Sequence, residues 1–178
     1  TLTAKFLNAR EKEIVFTKGA SNGLNMVALG FGMDYIQEGD EIITTELEHH
    51  SNVLPWMNVA KKKNATLKYI ELDSTGRITV EAFKKTITEK SKVLAITYVS
   101  NVMGYITPIK EIIKIAHEHN IIVVVDAAQA VPHMKVDVQD LDCDFLAFSA
   151  HKMFGPTGFG ILFGKYKYLK KMSPIEYG

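Results

Sequence analysis

Five short polar segments carry side chains suited to chemistry, and each follows a run of apolar residues. Ser149-Ala150-His151-Lys152 leaves the run Asp144–Phe148. A lysine amine that leaves an apolar strand, with a hydroxyl and an imidazole beside it, can have its pKa lowered and act as a nucleophile. An isolated lysine is otherwise a surface residue. In a second segment, Asp126-Ala127-Ala128-Gln129-Ala130 follows Ile121–Val125 directly. A carboxylate at the end of a buried strand is costly unless a cation or hydrogen-bond donors meet it. A protonated ring nitrogen is one such partner, and capping of a following helix is the plainer alternative.

The other three segments are weaker taken singly. Thr17-Lys18-Gly19-Ala20-Ser21-Asn22-Gly23 is a glycine-containing turn into an amphipathic stretch. Such a turn presents free N–H groups and a positive dipole end to an anion, and Ser21 can add a hydroxyl. A helix cap by Ser21 or Asn22 is the competing reading. In Glu46-Leu47-Glu48-His49-His50-Ser51-Asn52, adjacent histidines cannot both face one metal from a regular helix, and no second cluster has ligand spacing. An imidazole there can stack on a planar ligand or move protons, or simply face solvent. Asn101, in Val99-Ser100-Asn101-Val102-Met103-Gly104, offers both a donor and an acceptor, and is equally a turn residue.

The elements that must position these residues alternate. Short β-branched runs occur at Glu13–Thr17, Glu41–Thr45, Leu67–Leu72, Val93–Val99, Ile121–Val125, Phe145–Phe148 and Gly160–Phe163. Their length and Val/Ile content predict strands, several of them buried on both faces. Between them lie stripes with helical spacing: Leu24, Val27, Ala28 and Phe31; Val53, Trp56, Met57 and Ala60; Ile109, Ile112, Ile113 and Ala116; and a shorter one, Val80, Phe83 and Ile87. Thr107 is placed as N-cap of the third stripe, with Pro108 at the first helical position. Strands alternating with helices predict an α/β fold, a three-layer α/β/α arrangement around a seven-stranded, mostly parallel sheet. Ligands of such sheets bind outside the carboxyl ends of the strands, where the five polar segments fall.

Composition narrows the function classes. The chain has 178 residues, enough for one domain with a real core, and 47% hydrophobic residues, as in a globular protein. A formal charge of +1 gives no basic surplus for nucleic acid or an anionic membrane, and Lys61–Lys63 read as a solvated helix end. No apolar run approaches a membrane span. Cys143 is the single cysteine, so no internal disulfide can form and a reducing, cytoplasmic setting is expected. The sequence starts without Met and stops at Tyr177-Gly178, which reads as a piece of a longer protein.

Together the five segments resemble the class V aminotransferase family, and within it the cysteine desulfurases of the SufS/NifS type. The resemblance is carried by Thr17-Lys18-Gly19, Glu48-His49-His50-Ser51-Asn52 with Pro55-Trp56, Val99-Ser100-Asn101, Val125–Ala130, and Leu141-Asp142-Cys143-Asp144-Phe145 with Ser149–Lys152 and Gly155-Pro156-Thr157-Gly158. It runs almost end to end. Ala150, Ser21 and Asn22 depart from residues common in the family, and none of the three removes a reacting group.

The resemblance implies the large, pyridoxal 5'-phosphate-binding domain of a dimeric enzyme, without its N-terminal segment and C-terminal small domain. It implies that Lys152 holds the cofactor covalently and shuttles protons, that Asp126 pairs with the ring nitrogen, and that His49 stacks on the ring and helps with protonation. Gln129 would bond the ring hydroxyl, and Asn101 would lie by the substrate carboxylate. Ser21 and the N–H groups of Ala20 and Ser21 would hold the phosphate, joined by Ser149 and His151. The implied reaction takes L-cysteine to L-alanine, with sulfur passed to a nucleophilic cysteine as a persulfide for iron–sulfur cluster assembly. That cysteine and the arginine that clamps the substrate carboxylate belong to a C-terminal region beyond this sequence. Cys143, leading into an apolar run, is instead read as a partly buried structural thiol. A sulfur-acceptor protein is an expected partner. Selenocysteine lyases and other class V relatives share the cofactor core, and a fragment could bind cofactor or dimerise without turnover. A hydrolase triad of Ser149, His151 and Asp126 is set aside, since no Gly-x-Ser-x-Gly elbow is present.

Overall fold

A computed structural model describes residues 1–177 of the chain. All seven expected strands form: β1 (Ile14–Thr17), β2 (Glu41–Thr45), β3 (Thr66–Ile70), β4 (Ser91–Thr97), β5 (Ile122–Asp126), β6 (Phe145–Ser149) and β7 (Gly160–Gly164). They make one sheet in the order β1-β7-β6-β5-β4-β2-β3. Only β7 runs against its neighbours, pairing antiparallel with β1 and β6, so the sheet is mostly parallel.

Side-chain alternation divides the strand residues between two cores. Ile43, Leu94, Ile96, Val123, Val125, Leu146 and Phe148 pack with α1 (Leu2–Leu7), α5 (Val80–Thr86), α6 (Ile109–Glu118) and α7 (Val138–Leu141). Ile42, Val93, Ala95, Ile122, Val124, Phe145, Ala147 and Leu162 pack on the other face. There they meet α2 (Ala20–Met26), α4 (Leu54–Lys63) and α8 (Tyr166–Leu169). A π-helical turn, Val27–Gly32, carries α2 on into the short α3 (Met33–Tyr35). This is the three-layer arrangement expected from the alternating runs. Among the described residues no helix is long and apolar enough to cross a membrane.

Two local expectations are corrected. Thr107 does not cap α6: the helix starts at Ile109 with Pro108 as cap residue, and the Thr107 hydroxyl is buried without a partner. The Thr107 N–H donates to Tyr98 O, and Val99 bridges Ile106, so the chain is still paired as a strand when it reaches the helix. That pairing turns the threonine side chain inward, away from the free helix N–H groups. Along α4 the buried face comprises Trp56, Val59 and Ala60, whereas Met57 is exposed.

At the amino end of the sheet, Asp144 is buried between charged partners. Its carboxylate accepts from His117 Nε2 (2.9 Å) and Val123 N (2.9 Å), and pairs with Lys165 Nζ (3.0 Å). Burial alone would raise the Asp144 carboxyl, but the bond from His117, the Lys165 charge and the Val123 N–H hold it below its ordinary value. The same bond raises the His117 imidazole above its ordinary value. The Asp144 contribution to stability is therefore present above the ordinary carboxylate range and is lost as pH falls through the depressed folded value. The His117 contribution is complete below the ordinary imidazole value and is lost as pH rises through the elevated one. Asp144→Asn should cost about 3 kcal/mol near neutral pH, by denaturant unfolding, and progressively less as the pH is lowered into the acid range. An unchanged midpoint at both pH values would refute the assignment.

Candidate functional site

The carboxyl ends of the parallel strands bring four of the five polar segments directly to one rim. Strand register aligns Thr97 with Asp126, Asp126 with Ala147, Ser149 with Gly160, and Thr17 with Gly160. Asp126 thus sits at the rim in the middle of the sheet. The turns bearing Lys152 and Gly19–Ser21 leave on one side of it, and the turn bearing His49 leaves β2 on the other.

The centre is electrostatic. Val123, Val124 and Val125 are fully buried and Asp126 is only 6% exposed. Its Oδ1 accepts from Ala128 N at 2.9 Å, but turns and not a helix follow, so the carboxylate holds a turn and the helix-cap alternative falls away. Burial pushes the Asp126 carboxyl above its ordinary value, opposed by the Ala128 N–H and by the positive charges of Lys152 and His49. Lys152, on a short 3-10 turn (Ala150–Met153), and His151 beside it are exposed.

His49 is also exposed and begins the 3-10 turn His50–Asn52. Its Nδ1 accepts from the Ser51 backbone N–H at 3.2 Å and lies 2.8 Å from Ser51 Oγ. A backbone N–H can only donate, so Nδ1 is the acceptor and Nε2 is the nitrogen available to a ligand. Asn101 is exposed in the tight loop after β4, which Ser100 Oγ holds by accepting from the Val102 and Met103 N–H groups. Gln129 is half-buried next to the Asp126 turn.

The glycine turn is seated by close backbone contact. A Cβ on Gly160 would fall 2.5 Å from Gly19 Cα and 2.8 Å from Phe148 O, so only glycine lets the turn rest on the start of β7. Gly19 itself has φ +146°, a conformation other residues rarely adopt. Neither Ser21 nor Asn22 caps α2: Asn22 Oδ1 accepts from Lys18 N, and the Ser21 side chain is exposed. The Ala20 N–H donates to Ser149 Oγ at 2.7 Å. That bond ties the start of α2 to the end of β6, and an anion entering here would meet the hydroxyl and the N–H as a preformed pair.

Sequence reasoning missed Glu48. It is fully enclosed and accepts from Thr45 Oγ1 (2.8 Å), Thr97 N (2.8 Å) and Asn52 Nδ2 (2.7 Å). Burial pushes its carboxyl up to about 8, against the lowering effect of those three donors and with a further push from Asp126. A surface-type Glu-His-His-Ser string gives no sign of such burial.

The rim thus carries a buried carboxylate, with an exposed amine and the Gly19 turn on one side of it and an exposed imidazole on the other. The aminotransferase class-V family model matches residues 1–178. The chain belongs to that family. It is 53% identical over 175 residues to a probable cysteine desulfurase of Halalkalibacterium halodurans, covering 98% of this chain and 43% of that protein. Its fold superposes on the cysteine desulfurase CsdA of Escherichia coli with TM-score 0.96 and 41% identity, covering 99% of this chain and 44% of that one. Against a cysteine desulfurase of Thermococcus onnurineus the TM-score is 0.94 and the identity 43%, with the same two coverages. The chain spans less than half the length of each of these relatives.

Within this class-V chain Cys143 lies away from the rim. It is fully buried, more so than the sequence suggested, and burial raises its thiol strongly. Such a thiol is inert as a nucleophile. Gly160→Ala should lower stability by about 1–3 kcal/mol and weaken inorganic phosphate binding, because its methyl group displaces the Gly19 turn. Thermal denaturation with and without phosphate checks this, and a variant as stable and as phosphate-responsive as the parent would contradict it.

Proposed function

We propose that this chain is the cofactor-binding core of a pyridoxal 5'-phosphate-dependent cysteine desulfurase. The observation that carries the reading is the strand register, which puts a buried strand-end carboxylate, Asp126, at the rim from which the turns bearing Lys152 and His49 leave. The residues fit the cofactor. The single bond to Asp126, from Ala128, leaves acceptor capacity for the N–H of a protonated ring nitrogen. The Ser21 and Ser149 hydroxyls, with His151 beyond them, offer donors to a phosphate group next to the Gly19 turn, and the Ala20 N–H that donates to Ser149 Oγ lies beside them.

When bound, the cofactor supplies an electron sink for bond breaking at an amino acid substrate. This chain's residues do the rest. Asp126 would keep a proton on the ring nitrogen by pairing with it. Lys152 Nζ would hold the cofactor and carry a proton to and from the substrate carbon. His49 would stack on the ring, with its Nε2 able to hold or give up a proton there. Gln129 would bond the ring hydroxyl, and Asn101 would lie towards the substrate carboxylate. L-Cysteine is the proposed substrate and L-alanine the product. The sulfur acceptor is a cysteine outside this chain, since Cys143 is enclosed, and a homodimer that passes sulfur to an acceptor protein for iron–sulfur cluster assembly is the proposed working form.

A second reading has one observation in its favour: the chain spans under half of its relatives, so on its own it is a module that binds cofactor without turnover. Borohydride reduction of the chain loaded with pyridoxal 5'-phosphate should fix the label on Lys152, and Lys152→Ala should abolish it. In the longer protein, Lys152→Ala should lower alanine release from cysteine at least about 100-fold. Label on a different lysine would overturn the site. Alanine release by the isolated chain would exclude the module reading.

A further inference from the structure

Parallel pairing between β2 and β4 stops early. The β2–β3 ladder continues to Thr45 and Ile70, whereas β2 and β4 are in register only through Ile43 and Leu94. The pairing of β2 with β4 ends just where the rim begins, and the Thr97 N–H bonds a side chain instead of a β2 carbonyl. Glu48 fills that gap. Its Oε1 takes the Thr97 N–H at 2.8 Å in place of the missing ladder partner, and also accepts the hydroxyl of Thr45 at the end of β2. On the other side of β4 the Tyr98 N–H bonds Asp126 O, so Glu48 and Asp126 flank the same strand end.

The second oxygen reaches the turn that follows. Glu48 Oε2 accepts from Asn52 Nδ2 at 2.7 Å, and Asn52 is fully buried. Asn52 N donates in turn to His49 O at 2.8 Å, closing the turn whose first side chain is the His49 imidazole. One carboxyl group thus clamps the end of β2, the end of β4 and the turn that presents His49.

We propose that Glu48 is a positioning residue for His49, fixing its ring and tautomer at the strand ends by tying the turn to Thr97 where the pairing of β2 and β4 ends. The proposal rests on the reading of this rim as the cofactor site for its functional meaning, but the clamp itself is testable without cofactor. Glu48→Gln retains the shape, and its amide N–H can donate to Asn52 Oδ1, a buried atom that now has no partner. Glu48→Ala removes every strut.

The test uses the longer protein, free of cofactor, with nitrogen-15-labelled histidine, the His49 signals assigned by their loss in His49→Gln. The parent should show the single tautomer with the proton on Nε2. Glu48→Ala should bring the two ring nitrogen shifts together as the turn loosens and both tautomers exchange, and Glu48→Gln should restore the parent pattern. Should Glu48→Ala not fold, Thr45→Val removes one strut alone and should broaden or shift the same signals. Parent-like His49 signals in folded Glu48→Ala, or in Thr45→Val where the alanine variant does not fold, would overturn the proposal. Separately, visible absorbance on adding pyridoxal 5'-phosphate reports the cofactor reading: a parent that binds none refutes that reading and leaves the histidine result to decide the clamp.

Discussion

Asp126 ends a strand whose preceding valines are buried on both faces, so its carboxylate must find donors or a cation at the rim of the sheet or stay protonated. The rest of the site can be understood from that constraint. Ala128 gives one backbone N–H, and the charges of Lys152 and His49 oppose the cost of burial. None of these groups saturates the carboxylate in the way that His117, Lys165 and Val123 saturate Asp144 at the other end of the sheet. The contrast separates two buried acids of similar sequence context. Asp144 is held ionised by a closed network and belongs to the scaffold. Asp126 is held in an open arrangement with its cations exposed, which is the state expected of a group that waits for a ligand.

Parallel topology supplies the means. Strands buried on both faces can carry polar side chains only where they end, and a mostly parallel sheet puts those ends at one rim. The reversed strand β7 serves the same end differently. Its start, Gly160, lies against Ser149 and Thr17, and its lack of a side chain lets the Gly19 turn settle where the Ala20 N–H meets Ser149 Oγ. On the opposite side of Asp126 the pairing of β2 and β4 ends, and a buried Glu48 joins their ends. A rigid seat on one side and a clamped pair of strand ends on the other leave the rim between them open to solvent.

Much of this was legible in the residues. The length and Val/Ile content of runs such as Ile121–Val125 favour buried strands, and the polar residues after them mark the rim. The helical stripe Leu24, Val27, Ala28 and Phe31 is buried as its spacing requires, even though the backbone passes into a π-helical turn there. What was not legible depends on tertiary pairing. Thr107 has the residue type and position of a cap, but the bond from its N–H to Tyr98 decides where its side chain points. Glu48 looks like part of a charged surface string, and its burial follows from where two strands stop pairing, which no local pattern records. The Ala20–Ser149 bond joins residues 129 positions apart, so no local pattern records it, and only the family resemblance put the helix start and the lysine turn together.

An electron-density map of the protein crystallised with pyridoxal 5'-phosphate decides whether the strand-end rim around Asp126 holds that cofactor. Density continuous with Lys152 Nζ is expected, with the ring nitrogen against the Asp126 carboxylate and the phosphate at the Gly19–Ser21 turn beside Ser149. Cofactor bound elsewhere, or a ring whose nitrogen faces away from Asp126, would contradict it.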